Sequence, residues 1–389
     1  MNPSQFLELK AEWGALLEGA PGHGIFVTWE WLYTWWECFG GSKSLYLLAA
    51  RDQDRRLRGI LPLCVVRRRW LGLLELKVLQ FIGRGIEGRR SAGEYSAGMD
   101  LISREEDAAE AAAAFLDYIV ERPGDWDLIF LDELRRSSPR TARLVDACRS
   151  RLFHAGLHPA QSTYHIDLPG EYEEFRRRLS PKMRANVGRR TRQIERRHRT
   201  RVVTVDREEK IGEMLAVYYE LIRKRHDKVL PEPRKRFHLE LSRRLLENGR
   251  LRFHFYFLDD QPAVSFFGFQ DDGRLLYYKG AMNPDFAKSG AGTVFINRLI
   301  REGIEARLRE FDFLIGEDAY KASWEPKRRS WSRLLASRFS LKGLAFIGAS
   351  RAASRLASWK QRLKEKVLAR ASRGSGSPRP EGDEEPSVD

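Results

Sequence analysis

The chain contains little cysteine and no long apolar run. Its three cysteines, Cys38, Cys64 and Cys148, lie far apart and are odd in number, so we expect neither a disulfide nor a metal site. No stretch approaches the roughly 20 apolar residues that a membrane-spanning helix needs. The first residues lack the basic start and apolar core of a signal peptide, so the expected compartment is the cytoplasm.

A length of 389 residues with 42% hydrophobic content fits a soluble globular protein with two ordinary domains. The formal charge of +15 is concentrated between residues 176 and 201, where Glu195 is the one acid among many arginines. One interpretation is a solvated helix face. The other is a patch for an anionic partner: cofactor phosphates, a nucleotide-linked sugar, an anionic membrane surface or RNA.

The segment from Gly273 to Gly316 carries the strongest local pattern. It predicts a strand, a small-residue turn at 289–293, a helix and a second strand. Glycines between a strand and a helix let a ligand approach the backbone and leave the first helical N–H groups unpaired, which suits a phosphate. The helix, predicted over 294–308, carries no acid in its first turns that would repel one. The alternative is a tight connection whose glycines serve only turn geometry.

The same order of elements occurs twice along the chain. Apolar runs at 45–50 and 59–66, and again at 251–258 and 263–270, flank short polar turns and predict two hairpins. Each hairpin leads to a further strand, a helix and a strand that contains Asp. We therefore predict an α/β fold with mixed sheets in two related halves. The first-half helix follows the acids at 105–107, which occupy its positive end, so only the second half is suited to bind an anion.

These patterns predict four segments: residues 1–169, 170–340, 341–373 and 374–389. The third is a basic helical extension that either packs on the rest of the protein or contacts a membrane surface peripherally. The fourth is an acidic tail without apolar residues and is expected to be disordered. The aromatic-rich stretch from Phe26 to Phe39 is expected to bury the first-half helix against its own sheet.

Several short motifs in a fixed order resemble a known family. They are Trp29 with Trp35-Trp36, the run 59–63, Glu94-Tyr95, the Arg-rich helix after Ser180-Pro181-Lys182, the block 277–293, Phe311-Asp312-Phe313-x-x-Gly316 and Tyr320-Lys321-x-x-Trp324. As an ordered set spanning about residues 26–339, they resemble GNAT-superfamily acyltransferases of the CelD or BioF2-like type. These are relatives of the FemAB aminoacyltransferases, which also have tandem GNAT-like halves.

The resemblance implies acyl-CoA as a cosubstrate, with its pyrophosphate on the second-half turn. The implied cofactor-binding residues are Lys288, Ser289, Gly290, Ala291, Gly292 and Thr293. The family's usual Arg or Gln is replaced here by Ala287, and Lys288 beside it could supply the charge. FemAB relatives use aminoacyl-tRNA, so tRNA is a possible partner. The relatives that bind tRNA often insert a long helical hairpin, and between residues 233 and 249 the sequence leaves room for a single helix.

Acyl transfer requires a base that takes a proton from the acceptor, a hydrogen-bond donor that stabilises the oxyanion, and an acid that protonates the leaving thiolate. The candidate acids and bases are Glu94, Asp318 and Tyr320, and the resemblance places the oxyanion N–H within residues 277–281. The candidate acceptor-binding residues are Tyr95, Lys182, Arg184, Lys321 and Trp324. The structural alternatives are packing roles for the tyrosines and tryptophan, a surface lysine at position 321, and a helix cap at Asp318.

The sequence thus predicts a metal-free N-acyltransferase that moves an acyl group from acyl-CoA to an amine of a small or carrier-linked anionic acceptor. The first alternative is a FemAB-like transferase that uses aminoacyl-tRNA in cell-envelope or polysaccharide synthesis. The second is not an enzyme but a basic module that binds RNA or anionic lipid.

Overall fold

A computed structural model describes residues 2–70, 74–84, 95–227, 229–316 and 318–349. The strands are β1 (Ser44–Arg51), β2 (Leu57–Trp70), β3 (Leu74–Phe81), β4 (Ile102–Ser103), β5 (Leu128–Leu134), β6 (His154–Asp167), β7 (Thr200–Thr204), β8 (Leu251–Leu258), β9 (Gln261–Asp271), β10 (Arg274–Met282), β11 (Glu310–Ile315) and β12 (Lys327–Ser337). The helices are α1 (Pro3–Glu8), α2 (Lys10–Glu18), α3 (Trp29–Phe39), α4 (Ala108–Val120), α5 (Pro139–Arg151), α6 (Tyr172–Arg178), α7 (Pro181–Arg197), α8 (Glu209–His226), α9 (Glu232–Glu247), α10 (Ala291–Glu305) and α11 (Ala319–Ala322).

The strands of the described residues form one mixed sheet, as the alternating pattern predicts. Their order is β1-β2-β3-β5-β12-β6-β11-β10-β9-β8-β7, and β4 pairs with β2. Neighbouring strands are antiparallel except for β3 with β5 and β10 with β11. Apart from the additional edge strand β7, the order read from both ends toward the β12–β6 pair repeats a hairpin, a third strand and a parallel fourth strand. The two predicted α/β halves are therefore present.

The two halves exchange their last strands. Strand β6 ends the first half but pairs with β11 of the second, and β12 ends the second half but pairs with β5 of the first. The two exchanged strands also pair with each other along the centre of the sheet. Residues 1–338 consequently form one compact unit. The boundary at residues 169/170 stays a prediction about the repeat, since the sheet continues across it.

A shared irregularity marks the fourth strand of each half. In β5, Glu133 has a positive φ of 59°, and in β11, Leu314 has a positive φ of 56°. The register slips at the same place, between Leu131 and Leu134 in β5 and between Asp312 and Ile315 in β11. In the second half the carboxylate of Asp312 accepts the N–H of Leu314 at 2.7 Å, which fixes this left-handed residue.

The predicted elements occur close to their expected positions, with one difference that matters for the site. Helix α4 covers the predicted residues 108–120, and a single helix, α9, fills the segment between 233 and 249 as expected. Helix α10, however, begins at Ala291 rather than Val294. Residues 291–293 are therefore its first turn, and their N–H groups belong to the helix N-terminus.

The aromatic stretch in α3 packs differently from the prediction. The indole of Trp31 contacts the rings of Phe237, Phe269 and Tyr278, all of which belong to the second half. The N–H of the same indole donates to the hydroxyl of Ser96 at 2.8 Å. The expected seam within the first half is thus wrong in part: α3 lies at the contact between the halves, because α9 presents an aromatic face to it.

A second compact unit comprises residues 339–389. In it, residues 341–349 are helical, and the rest of the predicted extension and the whole acidic tail lie outside the described residues. The predicted membrane contact of residues 341–373 stays a prediction. No helix among the described residues combines the length and the apolarity needed to cross a bilayer.

Candidate active site

A cavity of about 780 Å³ opens in the second half. It forms because β10 and β11 pair only over Arg274–Leu276 and Glu310–Asp312 and then diverge. The gap between the diverging strands is walled by α7, α8, α9, the start of α10, and α11. Past Leu276, no pairing between β10 and β11 continues among the described residues, and residues 277–282 of β10 line the cavity.

The N-terminus of α10 opens into this cavity. Gly290 is the N-cap residue with a φ of 81° and has no side chain to cap the helix, and the Ser289 hydroxyl accepts only the N–H of Ala291. Gly290, Gly292 and Thr293 line the cavity, and the first turn contains no acid. The positive end of the helix dipole and its unpaired N–H groups therefore face a space large enough for a ligand, which is the arrangement that binds phosphate.

Arg190 of α7 lies directly on this turn. A Cβ built at Gly290 would stand 2.2 Å from the Cδ of Arg190, so no larger residue fits there. The guanidinium donates from Nε to the side-chain oxygen of Asn186 at 2.9 Å and from Nη1 to the carbonyl of Lys288 at 3.1 Å. Sequence reasoning placed Arg190 within the basic run but assigned it no role, although its spacing from Met183 and Asn186 puts all three on one face of α7.

The remaining predicted cofactor residues have different positions. The hydroxyl of Ser289 donates to the carbonyl of Phe286 at 2.6 Å and accepts the N–H of Ala291 at 3.1 Å, so it stabilises the turn. Ala291 is fully buried at the base of α10. Lys288 is exposed and is not among the cavity residues, and only its carbonyl contacts Arg190. Their direct contact with a cofactor stays a prediction.

The strand that borders the cavity carries a bulge. The pairing of β10 with β9 shifts register between Leu276 and Lys279. The ring of half-buried Tyr277 lies over Gly280, where a Cβ would stand 2.0 Å from the tyrosine hydroxyl. A bulge turns backbone groups out of the regular ladder. The predicted oxyanion donor within residues 277–281 thus lies on the cavity wall, on an irregular part of its strand.

Two tyrosine hydroxyls in the cavity have raised pKa values. Burial raises the pKa of Tyr277 to about 12, against the opposing effect of Arg225. Desolvation in the cavity wall also raises the pKa of Tyr320, with further contributions from Tyr277 and Asp318, although 43% of the residue is exposed. Both phenols keep their protons at neutral pH and can act as hydrogen-bond donors. Tyr320 was a predicted acid, whereas Tyr277 was recognised only as part of the strand.

Lys321 is buried and fully engaged by protein acceptors. Its Nζ donates to the carbonyls of Phe313 at 3.1 Å and Ile315 at 2.9 Å and lies 3.3 Å from the carboxylate of Asp318. Burial lowers the pKa of Lys321, and Asp318 opposes this shift. The alternative of a surface lysine is thus wrong, and Lys321 ties the end of β11 to α11. Asp318 occupies the N-cap position of α11, but its side chain makes no cap hydrogen bond.

The predicted acceptor residues divide between the cavity and the surface. Tyr95, Lys321 and Trp324 line the cavity, and Trp324 stacks against Phe175 with ring centroids 6.4 Å apart. Lys182 is exposed, and neither Lys182 nor Arg184 is among the cavity residues. Glu94 lies outside the described residues. Sequence reasoning missed the residues contributed by α8, α9 and β10, which are Tyr218, Arg225, His226, Arg234, His238, Tyr278 and Lys279.

The equivalent cleft of the first half is closed. Met99 bridges to Leu134, so the chain itself lies beside the free end of β5. The guanidinium of Arg84 pairs with Asp132 at 2.6 Å and lies 4.1 Å from the centre of the Phe130 ring. Asp107 is the N-cap residue of α4, where its carboxylate lies at the positive end of the helix as predicted, although it makes no side-chain cap hydrogen bond. The second half is therefore the one with an open site among the described residues.

One cluster of the described residues has the composition of a metal site. The ligand atoms of His165, Asp167 and Glu310 lie within 4.8 Å of one another. Asp167, however, pairs with Lys327, and Glu310 pairs with Arg329 at 2.7 Å. These cations already neutralise the carboxylates, so the cluster is better described as an ion-pair network across β6, β11 and β12.

Comparisons with known proteins agree with this geometry. Residues 181–322, which contribute most of the cavity, match the family model of the GNAT acetyltransferase domain. No curated protein sequence matches the chain significantly.

Solved structures share the fold over most of the chain. The FemX crystal structure is similar with a TM-score of 0.55 and 11% identity over 84% of this chain and 95% of that one. The structure of L-PGS from Bacillus licheniformis is similar with a TM-score of 0.52 and 13% identity, over 88% of this chain and 96% of that one. The C-terminal domain of a provisionally named lysylphosphatidylglycerol synthetase from Agrobacterium fabrum is similar with a TM-score of 0.53 and 11% identity, over 90% of this chain and 96% of that one. Residues 181–322 thus match a GNAT acetyltransferase domain, and the chain shares its fold with FemX over most of its length.

Proposed function

We propose that the protein is an N-acyltransferase that uses acyl-CoA. The observation that carries this proposal is the uncapped N-terminus of α10, which opens into the cavity beneath Arg190. A pyrophosphate is an anion of suitable size for the N–H groups of Gly292 and Thr293. The pantetheine arm and thioester would extend along residues 277–282 of β10, which line the cavity.

The residues of the cavity can supply each step of acyl transfer without a covalent intermediate. The acceptor amine attacks the thioester carbonyl, and an N–H of β10 stabilises the oxyanion. Asp318 is the candidate base that takes the amine proton, either directly or through a water. The thiolate leaves as CoA after taking up the proton that the amine lost, while the protonated phenol of Tyr320 or Tyr277 donates a hydrogen bond to the leaving sulfur.

An anionic acceptor, either small or linked to a carrier, fits the charge of the cavity. Among the described lining residues, Arg225, Arg234 and Lys279 are cationic, whereas Asp318 is acidic and already close to Lys321. A cavity of one predominant sign concentrates ligands of the opposite sign. Tyr95, Tyr278 and Trp324 add aromatic surface that can pack on the acceptor.

The cytoplasm is the compartment we propose. Cys38, Cys64 and Cys148 are free thiols. Free thiols persist in a reducing compartment, where disulfides are rare.

An aminoacyl-tRNA donor is the second candidate, because the fold of FemX extends over most of the chain. The 3′ end of a tRNA also presents phosphate and a reactive acyl ester. A basic module for RNA or anionic lipid remains the non-enzymatic alternative, and it would use the exposed arginines of α7 rather than the cavity.

A thermal-shift screen distinguishes these functions. A ligand that binds only the native state raises the melting temperature. We expect a saturable increase with acetyl-CoA or a longer acyl-CoA that persists at moderate salt. An increase with aminoacyl-tRNA but not with acyl-CoA would support the FemX-like donor. Equal binding of aminoacylated and uncharged RNA that is lost steeply with salt would support the nucleic-acid module.

A further inference from the structure

The turn at residues 289–293, where the pyrophosphate of acyl-CoA is proposed to bind, carries no cationic side chain of its own. Ala287, which lines the cavity just before the turn, is uncharged, and the neighbouring Lys288 is exposed and is not among the cavity residues. The hydroxyl of Ser289 is used within the turn. Helix N–H groups alone bind a phosphate weakly compared with N–H groups assisted by a charged side chain.

Arg190 is held at this position by two hydrogen bonds. Asn186 accepts from its Nε and the carbonyl of Lys288 accepts from its Nη1. These bonds use two of the five N–H donors of a guanidinium. Its aliphatic carbons lie against Gly290, whose lack of a side chain makes room for them. The charged group is therefore oriented over the first turn of α10, on the wall of the cavity.

We propose that Arg190 binds the phosphates of the donor and replaces the cation that the turn lacks. The proposal rests on the acyl-CoA function given above and identifies the side chain that, together with the α10 N-terminus, clamps the pyrophosphate. Residues on two separate helices, α7 and α10, then form one anion site. Besides adopting the positive φ of the N-cap position, Gly290 lets the side chain of Arg190 approach the start of α10.

The proposal distinguishes Arg190 from the other arginines of α7. Arg192 lies two residues further along the same helix, but it is exposed and is not among the cavity residues. Its charge contributes to the general field of the basic helix and not to a contact. Replacing either arginine removes the same charge, so a difference between the two variants reports a specific contact.

The test is isothermal titration of CoA and of pantetheine, which lacks phosphate, into four purified proteins: wild type, Arg190→Gln, Arg190→Lys and Arg192→Gln. Losing a charge-assisted hydrogen bond in Arg190→Gln should weaken CoA binding roughly ten- to a hundredfold. Arg190→Lys should lose less, because it keeps the charge but not the planar fork. Arg192→Gln should bind CoA like wild type, and pantetheine should bind all four proteins alike.

Three results separate this proposal from the function on which it rests. Unchanged CoA affinity in Arg190→Gln, with tight binding by wild type, would overturn the role of Arg190 alone. Equal losses in Arg190→Gln and Arg192→Gln would also overturn it, since they indicate only the general field. A wild-type protein that binds no CoA would contradict the proposed function itself. A weaker dependence of CoA binding on salt in Arg190→Gln is expected if the contact is ionic.

Discussion

At the scale of single residues, the sequence identified several side chains of the site but not what each one contacts. Gly290, Tyr320, Lys321 and Trp324, which belong to separate motifs in the sequence, line the same cavity. Burial decides their roles and is not visible in a motif. Lys321 is 5% exposed and donates to two carbonyls of β11, which a sequence cannot indicate.

Replacing Lys321 with Ala should reduce acceptor use without weakening CoA binding. The change leaves the carbonyls of Phe313 and Ile315 without their charged donor and releases α11 from β11. A charge-assisted hydrogen bond is worth roughly 1.5–3 kcal/mol, so kcat/KM for the acceptor should fall by about one to two decades. Steady-state kinetics give this value, and titration with CoA gives the donor affinity.

The control is Arg197→Ala, which changes an exposed residue of α7. Equal and small effects of the two substitutions on kcat/KM would mean that Lys321 has no part in acceptor use.

At the scale of elements, the periodic patterns predicted most helices and strands, whereas the residues that fill each cleft could not be predicted. The two halves have nearly the same strands, but segment 95–103 closes the first cleft by tertiary contacts. Asp100 of this segment is buried and accepts hydrogen bonds from Thr141 at 3.0 Å, from the backbone N–H of Leu101 at 2.9 Å and from Ser138. It thereby connects the segment to the start of α5.

The stability contributed by this connection should depend on pH. Burial raises the pKa of Asp100 from 3.8 to about 6, although its hydrogen bonds act in the opposite direction. A raised folded-state pKa means that the contribution is fully present below the unfolded value and is lost as pH rises through about 6. Asp100→Asn removes this titration. From pH 5 to pH 7.5, the wild type should therefore lose roughly 1–1.5 kcal/mol of unfolding free energy relative to the variant.

Denaturant unfolding of both proteins at the two pH values measures this difference. Other titrating groups are common to the two proteins and cancel in the comparison. A difference between wild type and Asp100→Asn that is the same at both pH values would contradict a raised pKa at Asp100.

At the scale of the whole molecule, the repeat was readable from the sequence but the exchange of strands was not. Hairpin spacing and the two similar helix-strand orders predicted two halves, because local periodicity reports local structure. The pairing of β12 with β5 joins residues about 200 positions apart in the chain, and such partners leave no local signal. The exchange makes the two halves one cooperative unit.

A cavity in β12 should therefore destabilise both halves together. Leu334 is fully buried and lies opposite Leu131 of β5 and Leu157 of β6. Leu334→Ala should cost about 2–5 kcal/mol of unfolding free energy. Thermal unfolding followed by tryptophan fluorescence, which reports mainly the first half, should coincide with loss of CoA binding in the second half. Two separate transitions would show that the halves unfold independently in spite of the exchanged strands.

The most direct test of the account is CoA binding to Gly292→Asp. An Asp near the helix start favours the helix dipole, and a Cβ at Gly292 meets only the sulfur of Met282 at 3.6 Å, so the variant should fold. Its carboxylate would occupy the phosphate site. Gly212→Asp is the matched control, because it makes the same change in the first turns of α8, where a Cβ meets nothing within 4 Å. By calorimetry, Gly292→Asp should show no CoA binding while Gly212→Asp binds like wild type; a folded Gly292→Asp protein with wild-type CoA affinity would contradict the account.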